Sequence, residues 1–89
     1  MRLIICSFQM FKLTQEIYIS DGEKIIYSES SLEEFLPKRI SELCDINDIN
    51  HVQLYGNQEY LTPIAEEIQT INAIKYNKNN IKVEVISNV

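Results

Sequence analysis

The sequence predicts a mixed α/β domain with a single sheet, in the element order β-β-β-α-β-α-β. Three observations support this class. Apolar residues alternate with period two at both ends of the chain, an Asp21-Gly22 pair separates two apolar runs, and two segments carry apolar residues at helical spacing. A chain of 89 residues has room for one core, so we expect residues 1–89 to form one domain.

The N-terminal part is predicted to form strands with a break near residue 10. Apolar residues occupy even positions up to Met10 and odd positions from Phe11 onward, so the buried face changes between these two residues. A change of parity indicates a turn or a bulge. We expect either a separate strand over residues 2–9 or one long strand bent near Met10. As an alternative, Met10 is the natural start and residues 1–9 are an extension that adds an edge strand.

A hairpin is predicted next. Asp21-Gly22 favours a two-residue type I′ turn, because both central residues of that turn need positive φ. The return strand is expected over residues 23–28, with Ile26 opposite Ile17.

The first helix is predicted after this hairpin. Ser30 and Glu33 have the spacing of a capping box, and Pro37 suits the first position of a helix but not its interior. We therefore expect a short turn over residues 31–36 and a main helix over residues 37–45.

The C-terminal half is predicted to form a β-α-β unit. The apolar run over residues 51–55 and the alternation over residues 81–86 indicate strands, and the helix between them has Thr62 and Pro63 as its expected N-cap and first residue, after a preliminary turn over residues 57–61. Such a unit is expected to be parallel with a right-handed crossover.

Charge and composition disfavour several functions. A formal charge of −5 repels nucleic-acid backbones, so direct nucleic-acid binding is not expected. No window approaches the ~20 apolar residues of a membrane helix, and the apolar run at the start is short for a signal peptide, so we expect a cytoplasmic protein. Cys6 and Cys44 lie far apart without metal-ligand spacing, and His51 has no acidic neighbour, so free thiols and no metal or cofactor are expected.

The element order resembles that of the ribonuclease H-like fold. This resemblance implies metal-binding carboxylates on the first strand, on the first helix and near the end of the fourth strand. Here the first strand has no acidic residue before Glu16, and the fourth ends in Tyr55-Gly56-Asn57. We therefore expect no enzymatic activity and no catalytic residues.

Composition suggests a source and a class of partner. In its size, its fifteen isoleucines and eight asparagines, and the run from His51 to Val85, the chain looks like small proteins carried by phages and mobile elements of AT-rich bacteria. Such proteins include inhibitors of host defence nucleases, for example anti-CRISPR proteins. The partner expected from this resemblance is a host nuclease or defence complex.

The hypothesis that follows is a small, acidic, non-catalytic protein-binding module that acts as a monomer or homodimer. Acidic residues concentrate in the middle third of the chain and can dock onto a basic groove, and Tyr55 and Asn57 lie at a strand end where α/β sheets bind ligands. The candidate binding residues are Glu33, Glu34, Glu42, Asp45, Asp48, Tyr55 and Asn57. Two alternatives are an enzymatic or ligand-binding domain using residues 55–57, and a structural homodimer paired through an exposed N-terminal edge strand.

Overall fold

The chain folds into one five-stranded mixed sheet and two helices, which confirms the predicted class. This computed structural model describes residues 1–87. The strands lie in the order β3-β2-β1-β4-β5. The elements are β1 (Leu3–Ser7), β2 (Thr14–Ser20), β3 (Ile25–Leu32), a 3₁₀ turn (Glu33–Phe35), α1 (Leu36–Asn47), β4 (His51–Gly56), α2 (Gln58–Lys75) and β5 (Lys82–Ser87).

The first strand lies at the centre of the sheet. β1 pairs antiparallel with β2 and parallel with β4, and β4 pairs parallel with β5, as the predicted β-α-β unit requires. The expectation that residues 1–9 add an edge strand is therefore wrong, and so is the proposed homodimer through an N-terminal edge. Both sides of β1 are already hydrogen-bonded, and the edges are β3 and β5.

One face of the sheet packs against both helices. Alternate strand residues point to the same face, so Ile4, Ile17 and Leu54 are fully buried in one core with Ile40 of α1 and Ile68 of α2. No helix among residues 1–87 is long and apolar enough to cross a membrane.

The change of parity after β1 is a turn, and β2 begins later than the pattern predicts. Phe11 has a φ of 67° and Leu13 is 84% exposed, so neither belongs to the strand. Gln15 occupies the first buried position of β2 instead. Its Oε1 accepts from the Gln9 N–H and its Nε2 donates to the Gln9 carbonyl, each at 2.9 Å. A polar residue is tolerated there because both its amide oxygen and its amide nitrogen are hydrogen-bonded to the loop.

The predicted hairpin forms between β2 and β3, but its two-residue type I′ turn is wrong. Asp21 lacks the positive φ that a type I′ turn requires, and its Oδ1 accepts the Lys24 N–H at 2.9 Å, which stabilises a wider loop. A register shift between the last residues of β2 follows, so Ile17 lies opposite Glu29 and not opposite Ile26.

The predicted capping box is also wrong, because β3 continues to Leu32 and includes Ser30. The Ser30 hydroxyl donates to Glu16 on the neighbouring strand and not to a helix terminus. α1 has no side-chain cap, although Pro37 lies in its first turn as predicted.

Candidate protein-binding surface

Three of the predicted acidic residues are paired with cations of the same chain. The Arg39 guanidinium contacts Glu42, and Lys78 Nζ lies 3.9 Å from Asp45 Oδ1 and 3.5 Å from Asp48 Oδ1. These pairs partly neutralise the C-terminal half of α1 and the loop after it. The acidity there is weaker than the sequence suggests.

The other two predicted acids lie at the opposite end of α1. Glu33 accepts a hydrogen bond from the Tyr60 hydroxyl, and this bond to a carboxylate raises the pKa of Tyr60. Glu34 is exposed and lines a groove between the helices together with Lys38 and Glu67. The structure therefore distributes the predicted acidic set over three places and does not bring it together as one surface.

The strand-end residues Tyr55 and Asn57 both have partners. The Tyr55 hydroxyl donates to Gln53 Oε1 at 3.1 Å. Asn57 is the N-cap of α2, and its Oδ1 accepts the N–H groups of Glu59 at 2.9 Å and Tyr60 at 3.4 Å. Two of the amides that an anion would use at this helix start are thus satisfied by the chain itself.

This cap also corrects the predicted start of α2. The helix begins at Gln58, so Thr62 is not its N-cap, and Pro63 lies inside the helix and not at its first position. Asn57 directly after the strand provides the cap before Thr62 is reached.

Gly56 at the end of β4 lies close to Leu61 and Phe8 and leaves little room for a side chain. A Cβ at this position would lie 3.1 Å from Leu61 Cδ1 and 3.3 Å from Phe8 Cβ, and φ is 152°. The space directly over Gly56 is filled by apolar side chains. Packing explains this glycine without a ligand.

Pairing across the sheet produces one contact that the sequence analysis missed. His51 Nε2 contacts Glu84 Oε1 on the adjacent strand, and this contact lowers the pKa of Glu84. The two residues are far apart in sequence, and only the parallel register of β4 and β5 brings them together.

The cysteines are free and buried, as predicted. Burial raises the pKa of both thiols to about 12, and the Glu16 charge adds to the effect at Cys6. A thiol with such a pKa is not a nucleophile at neutral pH. The described residues contain no group of three or more side chains that could hold a metal ion.

One group of exposed apolar side chains lies where β1 and β4 end. Of the twelve large apolar residues exposed within residues 1–87, five belong to the loop before β2, the end of β3 and the first turn of α2. Because β2 runs antiparallel to β1 and β3 runs antiparallel to β2, the start of β2 and the end of β3 lie at the same end of the sheet as the ends of β1 and β4. We call this surface the apolar end, and it consists of Met10, Phe11, Leu13, Leu32 and Tyr60.

Hydrogen bonds on both sides of Phe11 hold the loop of the apolar end. Gln15 fixes Gln9 on one side of the loop, and on the other side the Glu33 N–H donates to the Leu13 carbonyl at 3.1 Å. Phe11 lies between these two anchor points with a fully exposed side chain (101%). The loop therefore presents Phe11 on a backbone that is anchored at Gln9 and at Leu13.

An aromatic contact joins the apolar end to the core. The rings of Phe8 and Tyr60 have centroids 4.8 Å apart and are tilted by 44°. The Phe8 N–H donates to the Tyr55 carbonyl at 2.8 Å, which extends the pairing of β1 with β4 beyond Ser7.

One solved structure resembles this chain over nearly its full length. The PPX-GPPA enzyme of Aquifex aeolicus matches 98% of this chain at 17% sequence identity, with a TM-score of 0.49. This chain covers 36% of that protein, so it spans about a third of its length. No family model and no curated protein matches this chain.

The element order itself agrees with the order expected for a ribonuclease H-like fold. β1 and β4 contain no acidic residue, so the carboxylates implied by that resemblance are missing from both strands.

Proposed function

We propose that this protein is a non-catalytic protein-binding module that engages its partner through the apolar end. The observation that carries this proposal is Phe11, a fully exposed aromatic side chain with positive φ on a loop anchored at both sides. Exposed apolar clusters of this kind mark interaction sites in soluble proteins.

The energetics favour an anchor that enters an apolar pocket of the partner. Full burial of one phenylalanine, leucine or methionine side chain contributes about 1.5 to 3 kcal/mol. The fixed backbone reduces the entropy that is lost on binding. Aromatic residues in such positions commonly contribute most of the binding energy of an interface. Phe11, Leu13 and Met10 are therefore the expected anchors.

The net charge narrows the class of partner. A protein of charge −5 associates faster with a basic protein than with an acidic one. A host nucleic-acid-processing or defence enzyme fits this description, and the inhibitor role inferred from composition is the narrower form of our proposal. The inhibitor role depends on a free acidic surface, and Glu42 and Asp45 of α1 are paired with cations. It therefore has less support than protein binding through the apolar end.

Affinity capture with matched variants tests the proposal. Tagged wild-type protein is compared with the Phe11→Ser/Leu13→Ser double variant in lysate of the source cells. The control is Ile46→Ser, which changes an exposed isoleucine (66%) in the last turn of α1, far along the helix from the apolar end. We expect the captured protein to be lost with the double variant and retained with the control.

A further variant separates the apolar end from the acidic residues. Glu42→Gln/Asp45→Asn/Asp48→Asn removes three negative charges and leaves the apolar end unchanged. The proposal is contradicted if this variant loses the partner while Phe11→Ser/Leu13→Ser retains it.

A further inference from the structure

A second exposed apolar surface lies between the two helices, on the side away from the sheet. It forms a groove of about 350 Å³ that is lined in part by Phe35 and Ile74. Phe35 is 52% exposed and Ile74 is 81% exposed. Below it, Asn72 Nδ2 contacts Ser41 Oγ at 3.4 Å, and both residues are buried, so the two helices are joined under the groove. We call this surface the helix groove, and it is lined by Glu34, Phe35, Lys38, Glu67, Thr70, Ile71, Ile74 and Lys75.

The charges of the helix groove are balanced, unlike those of the whole chain. Two glutamates and two lysines line it, whereas the protein carries a net charge of −5. Each helix segment contributes one charge of each sign. A strongly charged partner would therefore meet repulsion as well as attraction in this groove.

The order of residues along α2 makes this pattern self-complementary. Glu67, Ile71 and Lys75 follow one another at intervals of four residues, so they lie along one side of the helix with the isoleucine midway. A two-fold axis through Ile71 would place a second α2 antiparallel to the first. Glu67 of each copy would then lie opposite Lys75 of the other, at about 6 Å from the axis on either side. A two-fold interface requires such a self-complementary surface.

We infer that the helix groove binds a second copy of this chain, with the two α2 helices antiparallel and Ile71 at the axis. Phe35 and Ile74 of each copy are then covered by the other. This homodimer uses the helices and no strand edge. None of the residues of the apolar end lines the helix groove, so the inference goes beyond the proposed function and does not depend on it.

Two charge-reversal variants test this arrangement. Each should dimerise weakly by itself, and the two should form a stable heterodimer when they are mixed. Glu67→Lys gives four lysines and no glutamate at the two α2–α2 contacts, and Lys75→Glu gives four glutamates and no lysine. We expect each variant alone to raise the dimer dissociation constant by about tenfold or more in sedimentation equilibrium. In an equimolar mixture of the two, every contact is again Glu against Lys, so heterodimers should form with close to wild-type affinity.

Two controls make the outcome specific to the groove. Ile74→Glu should also weaken the dimer by about tenfold or more. Ile46→Glu makes the same change at an exposed isoleucine outside the groove, and it should leave the dissociation constant within about twofold of wild type. Circular dichroism checks that all variants are folded.

The inference is overturned if the wild type stays a monomer at every concentration, if mixing the charge variants restores no heterodimer, or if Ile46→Glu weakens the dimer as much as Ile74→Glu. The capture experiment with Phe11→Ser/Leu13→Ser reads out a different surface, so either proposal can fail while the other stands.

Discussion

At the scale of single residues, Phe11 combines two features that are unfavourable for a phenylalanine. Its side chain is fully exposed, and its φ of 67° places it in the left-handed region. That region costs an L-residue with a Cβ about 1 to 2 kcal/mol. Nothing in the fold requires a large side chain at this position, because the ring makes no buried contact. Strain of this kind is commonly retained where a side chain serves function.

Replacement of Phe11 by glycine should therefore stabilise the protein and abolish partner binding. We expect Phe11→Gly to raise the free energy of unfolding by up to about 1 kcal/mol, since glycine adopts positive φ without steric cost and no buried area is lost. Chemical denaturation measures this change. Phe11→Ala is the control, because it removes the ring and keeps the Cβ, so it should give no such gain. A glycine variant less stable than wild type would show that the ring supports the fold.

Gln15 links the fold to the proposed binding surface. Gln15→Met has a similar volume and removes both hydrogen bonds to the Gln9 backbone, so we expect a loss of about 2 to 3 kcal/mol in the free energy of unfolding. The Gln9 amide should exchange its hydrogen faster, and partner affinity should fall although Phe11 is unchanged. Gln53→Met is the matched control on the open face of the sheet, where less than about 1 kcal/mol should be lost. Equal losses in the two variants would contradict the anchoring role of Gln15.

At the scale of elements, the sequence predicts which helices and strands exist better than where they end. Periodicity identifies all five strands and both helices, because that signal depends on which side chains are buried. The ends depend on individual hydrogen bonds. Asp21 widens the hairpin, Ser30 bonds to a neighbouring strand, and Asn57 caps α2 before Thr62 can. In each case a side-chain hydrogen bond that the sequence pattern does not reveal determines where the element begins or ends.

The apolar end could not be predicted from the pattern for a related reason. Phe11 and Leu13 occupy odd positions that continue the buried alternation of β2, so they look like core residues. Only the hydrogen bonds of Gln15 with Gln9 show that the strand starts later. The acidity of the predicted site was overestimated from the sequence. Sequence order does not reveal that Lys78 pairs with Asp45 and Asp48.

An ion pair between Glu29 of β3 and Arg39 of α1 makes the stability of the fold depend on pH in the acidic range. Arg39 donates to both carboxylate oxygens of Glu29, at 2.6 and 2.8 Å, and this hydrogen bonding lowers the pKa of Glu29 from its usual value of 4.5. Because the folded-state pKa is below the unfolded-state pKa, the unfolded chain binds more protons between the two values. The stability contributed by this pair is therefore present above about pH 4.5 and is lost as the pH falls through the folded-state pKa.

We accordingly expect Glu29→Gln to be less stable than wild type at pH 7, by about 1 to 2 kcal/mol for a hydrogen-bonded pair of charged groups that are both partly exposed. The difference should shrink as the pH falls below 4.5. Arg39→Gln, which removes the other partner, should show the same trend. Denaturation at a series of pH values measures both. A difference that is as large at pH 3 as at pH 7 would contradict this account.

At the scale of the whole molecule, the structure separates two exposed apolar surfaces with different properties. The apolar end lies where β1 and β4 end and carries large side chains on a fixed loop, whereas the helix groove lies on the outer side of α1 and α2 and is balanced in charge. One suits a pocket of a different protein and the other suits a second copy. Together, the two proposals describe a small dimer that presents two copies of one binding surface.

The proposed function requires direct contact between the apolar end and the partner. Photo-crosslinking detects such contact, with a benzophenone side chain introduced at position 11 and, in separate proteins, at positions 46 and 48. We predict that position 11 forms a covalent adduct with one protein of the source cells, and that unlabelled wild type suppresses this adduct while Phe11→Ser/Leu13→Ser does not. Positions 46 and 48 should give no such adduct. An adduct from position 48, in the predicted acidic set, with none from position 11 would contradict the claim.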